Sequence, residues 1–363
     1  MQIVLLVVIL VALILVHEIG HFIVAKLSGM RVEEFGIGYP PRALTMAKIG
    51  GTEYTLNWLP FGGFVKIEGE DGERGSGRAF ADKNRFLQAL VLIAGVAMNL
   101  LFAWLLISGS LFVGTPRALE NSEIPQAKDA IITVSDILPG SPAEDAGLKI
   151  GDGIVKAITP TGTFTTSDPK EFTDYIAKDT KGTPVTFDIR RDGQEMILSA
   201  IPAKNTIPGQ PDRVALGIGV AVVGTVPLPF YEAPILGAEY TWELTKEAAV
   251  GLAHFFASIF TFSADFSQVM GPIGIVSVVG VASKAGLPAL VLLTASISIS
   301  LAIINLIPIP AVDGGRLLFV IIESITRRRI NPNIAGTVNT VGFGLLIILM
   351  IAVSGHDIWK LIH

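Results

Sequence analysis

The chain contains no cysteine, so neither a disulfide nor a thiolate ligand is available, and any metal it holds must rest on His, Asp or Glu. Histidine is also sparse, with five among 363 residues. Charge is scarce: 16% of residues are Asp, Glu, Lys or Arg, against 50% hydrophobic residues and a mean hydropathy of +0.59. That balance excludes an ordinary soluble domain and fits a protein with several membrane spans, whose first partner is the lipid bilayer. The formal net charge of −5 leaves no basic footprint, so no nucleic-acid partner is expected.

Four apolar stretches reach spanning length: Ile3 to Ala25, Phe86 to Val113, Leu287 to about Ile307, and Ile334 to Val353. The first has only Met1 and Gln2 ahead of it, lacks a basic leader region and exceeds the apolar length of a signal peptide, so it reads as a retained span; with no transit peptide, a bacterial plasma membrane is favoured. Basic residues crowd the loop between the first two spans, among them Arg31, Arg42, Lys48, Lys66 and Arg85. Arg316 and the cluster Arg327, Arg328, Arg329 lie between the last two. The positive-inside rule puts both loops in the cytoplasm and leaves the N-terminus, the segment from Gly114 to about Gly286 and the C-terminus outside.

Within the first span stand His17, Glu18 and His21. A helix advances 100° per residue, so the two histidines lie about 40° apart on one face, with Glu18 on the neighbouring face. Two neutral imidazoles at this spacing suit Zn2+, and in HExxH enzymes the glutamate is the base that takes a proton from the attacking water and passes it to the leaving amine. A purely structural trio would bear an insertion cost of roughly 2.5 to 3.5 kcal/mol per ionisable group without evident return. Running inward, His17 lies about 21 Å past Ile3 in a hydrocarbon core of about 30 Å, in the cytoplasmic half.

A catalytic zinc usually takes a third protein ligand. His254, His356 and His363 all fall on the outward side. Asp313 follows the third span, which also runs inward, and Pro308, Pro310, Gly314 and Gly315 around it predict non-helical backbone. Irregular backbone at membrane depth is tolerated where it lines a polar cavity; the plainer alternative is a helix-terminating turn capped by Asp.

HEIGH in the first span and NLIPIPAVDGGR after the third resemble the two signatures of the site-2 protease family, in particular its bacterial RseP-like branch, and the resemblance spans nearly the whole chain. It implies His17, His21 and Asp313 as zinc ligands, Glu18 as catalytic base, and Asn305 as a polar group holding the substrate backbone or oxyanion. It also implies an intramembrane endopeptidase acting on single-span membrane proteins, such as anti-sigma factors or remnant signal peptides. The family's LDG reads Val312, Asp313, Gly314 here. Its AGPxxN reads Ala94, Gly95, Val96, Ala97, Met98, Asn99, without the proline kink.

Between Arg42 and Glu68, alternating runs flank Gly50 and Gly51, which predicts a small antiparallel sheet. Trp58, Phe61 and Phe64 favour dipping it into the interface, and relatives carry a membrane-reentrant hairpin here. The edge formed by Gly62, Gly63, Phe64 and Val65 is the candidate substrate-binding strand; a cytoplasmic meander without a substrate role is the alternative.

Leu138 to Ile154, with SPAEDAGL and GDGI, is similar to the PDZ pattern of protease-associated domains. Such a domain takes an extracytoplasmic peptide as an added strand, whereas in RseP-like enzymes it screens out bulky substrates; both roles stay open. Expected, therefore, is a polytopic α-helical membrane protein of four spans with a membrane-associated β-hairpin region and one extracytoplasmic PDZ domain of α+β type. Its expected parts are residues 1–28 (first span and motif), 29–85 (β region), 86–113 (second span), 129–204 (PDZ), 227–286 (outer-surface amphipathic segment), 287–326 (third span and Asp motif) and 334–354 (fourth span). A catalytically silent scaffold binding extracytoplasmic peptides is the other function considered, and a zinc transporter a third. The full ligand set with Glu18 speaks against the first, and the lack of polar residues between Ile3 and Val16 against the second.

Overall fold

The computed structural model describes all residues except 71–76, 161, 166, 180–182, 192, 205, 207–212, 262–270 and 363. Along the chain run α1 (Gln2–Leu27), β1 (Val32–Ile49), β2 (Thr52–Ile67), α2 (Arg85–Val113), β3 (Pro116–Ala118), β4 (Lys128–Ile137), α3 (Pro142–Asp145), β5 (Gly153–Thr159), β6 (Gly162–Phe164) and α4 (Pro169–Asp179). Then come β7 (Val185–Arg191), β8 (Gln194–Ala200), β9 (Ile218–Thr225), α5 (Ala233–Phe260), α6 (Pro272–Ala285), α7 (Leu287–Leu306), α8 (Asp313–Thr326) and α9 (Pro332–Ile362). They form two units: Met1–Gly109 with Tyr231–His363, and Ser110–Phe230.

In the first unit, four of the described helices are long and apolar enough to cross a membrane: Gln2–Leu27, Arg85–Val113, Leu287–Leu306 and Asn333–Trp359. With its β-sheets, the chain has the mixed α and β content of a membrane protein. The helices expose rows of large apolar side chains, such as Ile3, Val4 and Val8 on α1 and Phe343, Leu345, Ile348 and Ile351 on α9. Water would penalise such faces and lipid does not. The segment expected on the outer surface over 227–286 contains α5, bearing Glu239, Glu243, Lys246 and Glu247, and α6; residues 262–270 of it lie outside the described residues.

β1 and β2 form a two-stranded sheet of their own. β1 begins ten residues before the Arg42 start expected from alternation, because Gly36, Gly38 and the Pro40–Pro41 pair interrupt the period without ending the strand. Gly50 and Gly51 make the turn with φ of 59° and 82°, the two positive angles that a tight hairpin turn of the right twist demands. The strands bend so that Glu34–Ile37 is paired on both sides: Glu34 stands opposite Lys66 and also Glu53, and Ile37 opposite Gly63 and also Leu56. Gly63–Ile67 is therefore paired on one side only, and its other side meets no strand among the described residues. A buried cluster of Ala25, Met30, Val32, Ile67, Phe80, Val91, Leu92 and Val320 ties this sheet to α1, α2 and α8.

The second unit is a seven-stranded sheet in the order β3-β9-β4-β5-β7-β8, with β6 paired to β5, over a core that includes Ile132, Val134, Phe172, Phe187 and Ile189. Ser141 caps α3, accepting from Glu144 N–H at 3.4 Å, with Pro142 in the first helical position. Asp152, within the GDGI stretch, is 1% exposed. It accepts from Arg191 Nε and Nη2, both at 2.7 Å, and from Lys149 N–H at 2.8 Å. Burial by itself pushes the carboxyl up, but the Arg191 hydrogen bonds outweigh it and hold Asp152 below the ordinary carboxylate range.

A carboxyl depressed on folding contributes stability above its unfolded pKa of about 3.9, and that contribution is lost as pH falls through the lower folded value. Asp152→Asn is expected to cost about 2 kcal/mol at pH 7, read as roughly 30-fold faster amide exchange across β5 and β7 in the full chain. The gap between variant and parent should close as pH falls below about 4; a gap independent of pH would exclude the charged pair as its source.

Candidate active site

α1 is apolar on nearly every face, yet His17 and His21 are both buried at the α2 side of it. Their position on one face follows from the four-residue spacing, and the close approach of α1 to α2 follows from Gly20, where an added Cβ would collide with the Ala94 carbonyl. Asp313 arrives from the other end of the chain. α7 ends at Leu306, the chain passes through Pro308 and Pro310, Ala311 takes a positive φ of 81°, and α8 starts at Asp313 itself. The expectation of a ligand on non-helical backbone is thus corrected by one residue: the irregular stretch ends at Val312, and Asp313 is the first helical residue, where a helix N-terminus favours a carboxylate. Gly314 and Gly315 serve close approach, since a Cβ on either would strike the carbonyls of Leu306, Ile307 or Ile309.

The outcome is a convergence of three atoms. His17 Nε2 is 2.8 Å from Asp313 Oδ2, His21 Nε2 is 3.2 Å from the same oxygen, and the two Nε2 atoms are 3.0 Å apart. Among the described residues this is the one group of three His, Asp or Glu side chains placed to share a metal ion. Lone-pair atoms of two imidazoles and a carboxylate repel one another at these distances unless a proton or a metal cation lies among them, and two nitrogens with one oxygen is a donor set that zinc takes. α2 leaves space for it: a Cβ built on Gly95 would stand 2.5 Å from His21 Nε2 and 2.7 Å from His17 Nε2. The residues present therefore fit a zinc ion. His254, by contrast, is exposed on α5 and takes no part in the cluster.

A cavity of about 570 Å³ opens beside these atoms, lined by Glu18, His21, Asp313, Gly63, Phe64 and Val65 among others. Glu18 is half-buried there, within electrostatic reach of His17, His21, Asp313 and Glu70. The free edge of β2 thus forms one wall of the same cavity. Gly62, the remaining edge candidate, is buried with a φ of +87° and does not line it. Asn305 lies half-buried in the last turn of α7, outside the lining residues.

Two charged residues beside the site, Arg316 and Glu70, were not among the site candidates of the sequence. Arg316 stands one helical turn after Asp313 and pairs with Glu70, just past the end of β2. That pair lines both the first cavity and a second one of about 560 Å³, which also contains the Arg85–Glu323 ion pair at 2.6 Å and Arg329. The three-residue spacing from Asp313 was the available signal for Arg316; Glu70 had none, because only the folded hairpin brings it near.

A family model described as peptidase family M50 matches residues 5–349. A candidate zinc metalloprotease of Clostridium perfringens is 37% identical over 354 residues, covering 96% of this chain and 95% of its own length. Another of Fusobacterium nucleatum is 31% identical over 361 residues, 98% of each chain. The zinc metalloprotease RasP of Oceanobacillus iheyensis is 28% identical over 433 aligned positions, 96% of each. With a membrane-spanning architecture and a donor set that fits zinc, the chain belongs to peptidase family M50, the site-2 proteases, and is a zinc metalloprotease of the membrane.

Proposed function

We propose that this protease cuts peptide bonds within or beside the membrane-spanning segments of single-span proteins. His17, His21 and Asp313 hold the zinc and Glu18 acts as general base. The observation that carries the reading is that two members of the cluster, His17 and His21, stand on an apolar helix of spanning length, and that the third, Asp313, lines a cavity together with an unpaired strand edge.

A helical substrate hides its carbonyls in its own hydrogen bonds, so cleavage requires a stretch of it to unwind and find new partners. The open edge at Gly63–Lys66 offers them by strand addition beside Glu18 and Asp313. Zinc, when bound, supplies Lewis acidity that makes water nucleophilic near neutral pH and polarises the scissile carbonyl. Glu18 accepts one proton of the attacking water as its oxygen bonds to the carbonyl carbon, then delivers that proton to the amide nitrogen as the C–N bond breaks, leaving a new carboxyl and a new amine. Asn305 is assigned the supporting polar role at the substrate backbone. The orientation rests on the arginines: with Arg316 and Arg327–Arg329 inside, the site faces the cytoplasm and residues 129–204 face outside.

Residues 129–204, with β9, are read as a PDZ-type module. In support, Ile218–Ala221 of β9 pairs with β4 alone, since β3 covers Val223–Thr225 and Leu119 N–H donates to the Val222 carbonyl. A small groove of about 50 Å³ separates that edge from Phe172, Thr173 and Ile176 of α4. That edge is where an extended extracytoplasmic peptide would add as a strand. Substrates are then single-span proteins already trimmed outside, anti-sigma factors and remnant signal peptides being the classes the resemblance implies.

Three measurements test this. Glu18→Gln should retain zinc and lose about a hundredfold to ten-thousandfold in kcat on a truncated single-span reporter in detergent, whereas Asp313→Asn should lose zinc as well. Equal cleavage by parent and Glu18→Gln would remove Glu18 from the chemistry. Val65→Pro, which deletes a donor at the edge without touching the metal cluster, should abolish cleavage at full zinc content; unchanged turnover rules out strand addition there. Gly95→Ala places a methyl among the ring nitrogens, so zinc affinity should fall tenfold or more with helix content preserved, measured by chelator competition and circular dichroism.

A further inference from the structure

α2 carries Val91, Gly95 and Asn99 at four-residue intervals, and therefore on one face. Each of the three meets the histidine pair. His21 Nδ1 lies 2.7 Å from the Val91 carbonyl, Gly95 leaves space beside both rings, and the Asn99 amide lies 3.4 Å from His17 Nδ1.

Neutral imidazole has one N–H, and the hydrogen bond made by one nitrogen decides which lone pair the other can offer. For His21 the matter is closed, because a carbonyl only accepts: Nδ1–H donates to Val91, and the Nε2 lone pair points at His17 and Asp313. For His17 to offer Nε2 likewise, Nδ1 must carry the hydrogen, and that hydrogen needs an acceptor because the ring is buried. Among the described residues the one partner recorded for His17 Nδ1 is Asn99, which is fully buried. With its NH2 toward the ring, the amide sets a donor against a donor once Nδ1 is protonated, and its Oδ1 has no hydrogen-bond partner among the described residues. The two ends of an amide have nearly the same shape, so its orientation follows from the network. Turning it over sets Oδ1 against His17 Nδ1–H and breaks no other side-chain hydrogen bond. α7 holds the backbone at this point: Ser298 Oγ–H donates to the Asn99 carbonyl at 2.8 Å.

We infer that Asn99 is a positioning residue of the metal centre: its Oδ1 accepts from His17 Nδ1–H, fixing the tautomer and the angle at which His17 presents Nε2 to zinc. This rests on His17 being a zinc ligand. It makes α2 the element that orients both histidines, through a backbone carbonyl for one and a side-chain amide for the other.

The test is zinc affinity of the purified full chain in detergent, read by chelator competition, for the parent, Asn99→Leu, Asn99→Ala, Asn99→Asp and His17→Ala. Loss of the acceptor in Asn99→Leu or Asn99→Ala should weaken zinc 10- to 100-fold, while Asn99→Asp, which accepts but cannot donate, should stay within a few-fold of the parent. The Ala variant, smaller than Asn, carries the result if Leu does not fold. Parental affinity in both Leu and Ala overturns the inference, as does an Asp variant as weak as Ala, which would mean that the amide serves as a donor. His17→Ala reads the underlying assignment by itself: zinc binding undiminished there would overturn the ligand role of His17, whatever Asn99 does.

Discussion

Two imidazoles and a carboxylate held within 3.2 Å of one another inside an apolar bundle form an arrangement that little else in the chain would tolerate. Polar groups are expensive at membrane depth, and lone pairs crowded together add repulsion to that expense. Much of the first unit can be understood as the support this crowding requires. Gly20 lets α1 and α2 touch, Gly95 clears the space between the rings, and the Val91 carbonyl takes the one outward hydrogen of His21. The double glycine after Asp313 folds the head of α8 against the carbonyls that precede it, which delivers the carboxylate at a fixed angle.

The same economy governs water and substrate. A hydrolase inside lipid must admit water without exposing backbone to hydrocarbon. Glu70, Arg316, Arg85 and Glu323 form ion pairs along two adjoining cavities beside the site. On the function proposed, an acceptor surface for an unwound helix is what the bent hairpin would supply. Because Glu34–Ile37 is paired on both sides, the hairpin ends in one unpaired edge, and the buried cluster around Val32, Ile67 and Val91 holds that edge beside Glu18 and Asp313.

The second unit follows ordinary soluble rules: an antiparallel sheet, a core of Ile, Val and Phe, a capped short helix, and one buried ion pair, Arg191–Asp152, satisfied on the acid by three hydrogen bonds. Asp152 shows how a short motif carries its own physics, since the carboxylate in GDGI anchors a strand 39 residues away.

Composition and local pattern alone determined a good deal. Long apolar runs set where spanning helices form, because hydrocarbon selects for them whatever the tertiary arrangement. The four-residue gap placed His17 and His21 on one face, because the helix period is a backbone property. The glycine pair located the hairpin turn. Other features required the folded chain. Asp313 meets histidines 296 residues away, Asn99 and Val91 become partners of particular ring nitrogens, and β1 extends back to Val32 with pairing on both sides. Each of these depends on which helix faces lie together and at what separation, and neither is encoded in local periodicity; they are settled by packing, where the glycine contacts fix how closely the helices approach and so which polar groups reach the two histidines.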